Sequence, residues 1–189
     1  MADQPTVAFA TAAAFRKWLH TNHSNHPGIW LRIFKKSSGH PTVSYAEAVD
    51  EALCYGWIDG QKQKGDEASW LQKFTKRGPR SVWSKVNVGH VERLSRERRM
   101  QPAGFAAVES AKADGRWDRA YSPSSTAELP EDFLAELGKS PKAQAFFETL
   151  NKTNRYAVFY RLHSAKRPET RARRIADFIA MFERGEKIH

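Results

Sequence analysis

The sequence predicts an α+β protein: a small antiparallel sheet with helices, followed by an all-helical C-terminal region. Three observations carry this. Ile29 to Lys36 alternates, with Ile29, Leu31 and Ile33 on one face and Trp30, Arg32 and Phe34 on the other. Beyond Gly78-Pro79, apolar residues recur at helical spacing between proline starts and glycine stops. All six tryptophans precede residue 118, and a turn-rich stretch, Tyr121-Ser122-Pro123-Ser124-Ser125-Thr126, follows them. The expected organisation is an α+β domain over residues 1–120 and a helical domain over residues 121–189.

Each element follows from local chemistry. A strand is expected at 6–9. Thr11 is placed to cap a helix over 12–20 that turns Phe15, Trp18 and Leu19 inward. Ser24-Asn25-His26-Pro27-Gly28 breaks it before the strand at 29–36. Ser44 with Glu47 forms a capping box, opening a helix striped by Tyr45, Ala48, Val49, Ala52 and Leu53 and ended by Gly56. Residues 57–64 and 69–77 read as two strands joined around Gly65-Asp66. Asn87 is expected to cap a helix over 88–99, and Pro102 to open one over 102–113. Four more helices are expected: 130–137, one from Ser140-Pro141, one from Thr153 to about Lys166, and one from Pro168 to Gly185.

Composition excludes several classes. The hydrophobic fraction of 40% over 189 residues is enough for a core, and the 12% aromatic content argues against disorder. No apolar run approaches the ~18 residues of a membrane span. Met1-Ala2-Asp3-Gln4-Pro5 has an acid and a proline where a signal peptide has a basic and then an apolar stretch. The single cysteine, Cys54, excludes an intramolecular disulfide and a CxxC zinc module. A reducing, cytoplasmic compartment is expected, with no metal and no cofactor.

The net charge of +10 is unevenly spread. Residues 60–100 hold eleven basic and four acidic side chains, and residues 151–189 hold ten and four. Clustered positive charge attracts phosphates and other polyanions. Two candidate anion sites result. The first is Lys76, Arg77 and Arg80 with Trp83, Lys85 and Asn87, around a Gly-Pro turn between a strand and a helix. Arginine forks suit phosphate or carboxylate there, and free amides at a helix start add to them. The bland alternative is a solvated loop with Trp83 as a core anchor. The second is Arg167, Arg171 and Arg174, at i, i+4 and i+7 on the last helix, continuing its apolar stripe at the positive end of the dipole. Their alternative is a clasp onto carboxylates of residues 101–150, which carry eight acids against five bases.

Other candidates are weaker. Cys54 is expected opposite its helix's apolar stripe, beside Glu47 and Glu51, where carboxylates disfavour a thiolate. His20, His23 and His26 are spaced for a metal but have no framing carboxylate or cysteine. Asp59 could pair with Asp50 or Glu51 in acid–base work, and His163 reads as a core histidine.

Several unusual motifs occur in order: Tyr45-Ala46-Glu47-Ala48-Val49 leading into Leu53-Cys54-Tyr55-Gly56-Trp57-Ile58-Asp59-Gly60, then residues 74–87 (FTKRGPRSVWSKVN), Arg99-Met100-Gln101-Pro102-Ala103-Gly104, residues 111–117 (AKADGRW) and residues 165–175 (AKRPETRARRI). From about residue 15 to 187 the chain thereby resembles the YdeI/OmpD-associated, or bacteriocin-protection, family. The resemblance implies a YjbR/CyaY-like α+β fold with an antiparallel sheet over residues 1–120 and the family's helical region over 121–189. It also implies a bacterial role in stress or antimicrobial-peptide resistance and association with an outer-membrane porin. It supplies no catalytic residues. The expected function is non-catalytic binding of an anion or polyanion (nucleic acid, nucleotide or an anionic envelope component), with a protein partner also in view. The alternative is an enzyme whose arginine clusters hold a small phosphorylated or carboxylated substrate, with Asp59 or His163 as base.

Overall fold

A computed structural model describes residues 4–189. The leader Met1-Ala2-Asp3, on which part of the signal-peptide reading rests, lies outside the described residues. The chain divides into two compact units, residues 1–120 and 121–189.

The first unit runs β1 (Thr6–Ala8), α1 (Ala12–Asn22), β2 (Ile29–Phe34), a single 3-10 turn (Lys36–Ser38), α2 (Tyr45–Cys54), β3 (Trp57–Lys64), β4 (Ser69–Lys76), α3 (Lys85–Arg96) and α4 (Pro102–Ala113). The strands lie in the order β1-β2-β4-β3. The sheet is mixed rather than wholly antiparallel. β1 reaches β2 through the α1 crossover and must therefore run parallel to it, whereas β2–β4 and β3–β4 are antiparallel. The ladder shifts register between Asp59 and Lys62.

Burial follows the alternation. Ile29, Leu31 and Ile33 are buried with Phe15 and Leu19 of α1, Val49 and Leu53 of α2, Trp57 of the edge strand β3 and Phe74 of the central strand β4. The caps are as expected at Thr11 and in the Ser44–Glu47 box. One cap differs. Ser84, not Asn87, starts α3, because its side chain accepts from the Asn87 backbone N–H; Asn87 is the third helical residue.

The α2–α4 contact needs glycine twice. Gly56 has φ +71°, and a Cβ there would stand 2.7 Å from the Ala103 carbonyl oxygen. A Cβ on Gly104 would stand 2.3 Å from the Cys54 carbonyl oxygen, which accepts from the Gln101 backbone N–H. This close approach places Cys54 in the core, not on the polar side of its helix. An ion network joins the helices. Glu51, also buried, accepts two bonds from Arg16 (2.8 and 2.6 Å) and one from Arg99 (2.8 Å). Asp50 takes both Arg93, at 2.6 and 2.7 Å, and His90 Nδ1, at 2.7 Å.

The second unit comprises α5 (Glu131–Leu137), α6 (Pro141–Glu148), α7 (Lys152–His163) and α8 (Pro168–Glu183). Phe133, Phe147, Leu162, Phe178 and Phe182 form its core. Asn151, not Thr153, caps α7. No helix among the described residues is long and apolar enough to cross a membrane.

Candidate anion-binding cleft

The first basic segment leaves β4 beside the glycine turn that joins α2 to β3. The Arg77 backbone N–H donates to the Gly56 carbonyl oxygen, tying the two together. A cavity of about 480 Å³ opens there. Lys76, Arg77, Gly78 and Pro79 line one side, and Ala103, Ala106, Ala107 and Ser110 of α4 the other, with Tyr55, His23 and Arg116 also in its wall. The lining holds three cations from two chain segments and no carboxylate.

These groups are positioned by their neighbours. The Arg77 guanidinium stacks 3.5 Å from the Trp83 ring and donates to the Val82 carbonyl oxygen. Trp83 is itself buried, edge-on to Trp117. Its face therefore holds Arg77 in place. Arg116 is also buried: Nε donates to Asp114 at 2.7 and 2.8 Å, Nη1 to the Ser81 carbonyl oxygen and Nη2 to the Ser110 hydroxyl. The Arg116 hydrogen bond is the main cause that holds the Asp114 carboxyl below its ordinary range. Burial, with the Glu51 charge second, raises the Tyr55 hydroxyl, so it stays a protonated donor at neutral pH. Lys76 is exposed and makes no ion pair with any described residue.

Among the proposed anion residues of this segment, Lys76 and Arg77 line the cleft, while Arg80, Trp83, Lys85 and Asn87 do not. Arg80 and Lys85 are exposed, and Asn87 is half-buried. Tyr55, Ser110 and Arg116 escaped sequence reasoning. Arg116 sits in AKADGRW, a motif noted for its resemblance but not as a site, and nothing local says that its side chain returns to residues 77–81.

The second basic segment is engaged within its own unit. Arg171 grips Asp132 with two bonds, 2.5 and 2.7 Å, and also donates to the Leu162 carbonyl oxygen. Arg174 donates to the Arg161 carbonyl oxygen and the Ser164 hydroxyl. This is the carboxylate clasp weighed above as the alternative, with Asp132 as its acid. Arg167 is exposed at the start of α8. Arg171→Ala is expected to lower the second unit's stability by about 1 kcal/mol, since half-exposed pairs are screened. It should leave phosphate binding to the full chain unchanged; a titration and a thermal melt of the variant check both.

The other candidates resolve separately. Burial, then the Glu51 charge, pushes the Cys54 thiol up to about 11, which makes it inert at neutral pH. His23 Nδ1 lies 2.9 Å from the Leu19 carbonyl oxygen, His26 accepts from the Gly28 N–H with its ring against Trp18, and His20 stands near Tyr55. Asp59 accepts from the Tyr45 hydroxyl at 2.7 Å, while Asp50 and Glu51 turn to the arginines above and share Arg99 between them. His163 is exposed and stacked on Phe159 rather than in the core. Among the described residues no three His, Cys, Asp or Glu side chains converge as a metal site would require.

Comparison with known families divides the chain in a similar way. Residues 7–107 match a family model described as a domain of unknown function, DUF8412. Residues 126–185 match the model described as bacteriocin-protection, YdeI or OmpD-associated. No curated protein and no solved structure matches the chain. The first match spans more than half of the sequence and, except for Thr6 at the start of β1, all four strands. The chain thus belongs to the DUF8412 family and has, after that domain, a segment that matches the bacteriocin-protection, YdeI or OmpD-associated model.

Proposed function

We propose that the first unit binds a small anionic molecule in the cleft beside Gly56, holding its phosphate or carboxylate with Lys76, Arg77 and Arg116. One observation carries this reading: a cavity of about 480 Å³ lined by three cations and no acid. Asp114 already offsets Arg116 from outside the lining, so a bound anion would meet chiefly the exposed Lys76 charge, with the two guanidiniums as fixed donors behind it. Arg77 and Arg116 are held by Trp83, Asp114 and backbone carbonyls, so little side-chain entropy is lost when a ligand arrives. The Tyr55 and Ser110 hydroxyls add neutral donors.

The reading is of binding rather than catalysis. Neither Asp59 nor His163, the two bases suggested for an enzyme, lines the cleft. Physiologically, the name of the C-terminal family supports a role in protection against bacteriocins. A chain of net charge +10 repels cationic peptides, so we read that role as acting through the bound anion, not through direct capture of peptide. The one-sided packing of helices on a small sheet supports the YjbR/CyaY-like kinship, and the single free, buried Cys54 supports a cytoplasmic location.

Lys76→Ala tests the cleft cleanly, because the side chain is exposed and supports nothing else. Titration with inorganic phosphate and with phenyl phosphate is expected to show affinity falling about tenfold, one charge-assisted hydrogen bond's worth. The melting midpoint should not change. Equal affinity of variant and parent for both probes would remove the reading.

A further inference from the structure

The outer face of the sheet, away from the helices, carries residues that no core explains. The β2–β4 register sets Trp30 opposite Lys73 and Arg32 opposite Leu71, and Phe34 ends the same face. All five are partly exposed. Trp30, Phe34 and Leu71 belong to neither packed core and are not among the residues packed against one. Two aromatic rings and a leucine thus stand half-exposed on this face, interleaved with two cations, with the Phe34 ring leaning on His40 at 4.8 Å between centroids and its other side open to a ligand.

We propose that this face binds single-stranded nucleic acid, with bases stacking on Trp30 and Phe34 and phosphates drawn to Arg32 and Lys73. Alternate residues of a strand stand about 6.6–7 Å apart, so Trp30, Arg32 and Phe34 form a row of planar groups along β2. Rings and guanidinium planes on a sheet are the surface that unstacked bases use, and stacking tolerates any base sequence. Charge selects this occupant over a second copy of the chain. Lys73 reaches over Trp30, 5.6 Å from the ring centre, and makes no ion pair with any described residue. None of the residues on this face of β2 and β4 is acidic. Arg32 meets a carboxylate only at Asp66 in the β3–β4 turn. Face-to-face pairing of two copies would bring these cations together, whereas a phosphate backbone neutralises them. The surface is separate from the cleft, since none of its residues lines that cavity.

The test is fluorescence anisotropy of the full-length chain with a labelled 12-nucleotide oligo-dT and with a 12-base-pair duplex, over a range of salt. The single strand is expected to bind more tightly, with affinity falling steeply as salt rises. Trp30→Ala should weaken it on the order of tenfold, the effect of one lost stacked base. Lys73→Glu, at a half-exposed side chain outside both cores, should weaken it at least as much and flatten the salt dependence. Thermal melts of both variants confirm that they remain folded. Absence of binding at low salt would overturn the proposal, as would equal or tighter binding of duplex or Kd values unmoved by Lys73→Glu. Sedimentation showing a dimer that Trp30→Ala dissociates would overturn it in favour of a self-association face.

Discussion

Gly104→Ala is expected to cost the first unit about 3 kcal/mol or more, the upper end of overpacking effects. The added methyl would sit 2.3 Å from the Cys54 carbonyl oxygen and 2.8 Å from Met100 Cε. Met100 is flexible and can move, but the carbonyl is fixed by its bond from Gln101 and cannot retreat without carrying the end of α2 with it. That end is also the α2–β3 turn from which Gly56 enters the cleft, so phosphate affinity should fall with stability. Gly89→Ala is the control. Gly89 is an exposed position of α3 with nothing within 4 Å of a would-be Cβ, and alanine there should add about 0.5–1 kcal/mol through better helix propensity. Denaturant titrations of the two variants should thus differ in sign; a Gly104→Ala protein as stable as the parent would show that α2 and α4 do not meet this closely.

Glu51→Gln should cost about 2–3 kcal/mol. Breaking a buried ion pair costs about 3–5 kcal/mol when the remaining charge is trapped. Here Arg16 is half exposed and Arg99 about one-third exposed, so both regain some water and the loss is smaller. The melting midpoint should fall on the order of 10 °C. The Cys54 thiol, raised first by burial and second by Glu51, should move down yet stay above its ordinary value; thiol titration of the folded variant reads this directly. The neighbouring Asp50 sets the acid limit of the same network. Burial pushes its carboxyl up, but the Arg93 and His90 bonds outweigh burial and leave it depressed. A depressed carboxyl contributes its stability fully above the unfolded value of about 3.9 and loses it as pH falls through the lower folded value. The first unit should therefore begin to weaken below about pH 4, and Asp50→Asn should blunt that acid sensitivity.

Much of the architecture was legible because it is local. The Ser44–Glu47 box, the Pro102, Pro141 and Pro168 starts, the Gly185 stop and the alternation of Ile29 to Phe34 each depend on residues a few positions apart. Local chemistry, with the tryptophan distribution, sufficed to expect an α+β fold with a helical C-terminal region. It failed where two local signals compete. Ser84 and Asn87 are both good caps, and only the helix's entry direction lets the Ser84 oxygen reach the Asn87 N–H.

What the sequence determined by itself was thus the elements, the fold class and the concentration of positive charge in residues 60–100. Tertiary structure decided which charges remain available. Arg171 is spent on Asp132, 39 residues away, Arg16 and Arg99 on Glu51, and Arg116 on Asp114, whereas Lys76 makes no ion pair with any described residue and stands at the mouth of a cavity that Arg77 and Arg116 also line. It also added a parallel strand to a sheet expected to be antiparallel, and buried Cys54 and Glu51 although their helix wheel placed them outside. The physical reason is common to all of these. Propensity and periodicity act over one or two turns of chain, while the partner of a charge and the neighbour of a strand are fixed by packing between segments far apart in sequence.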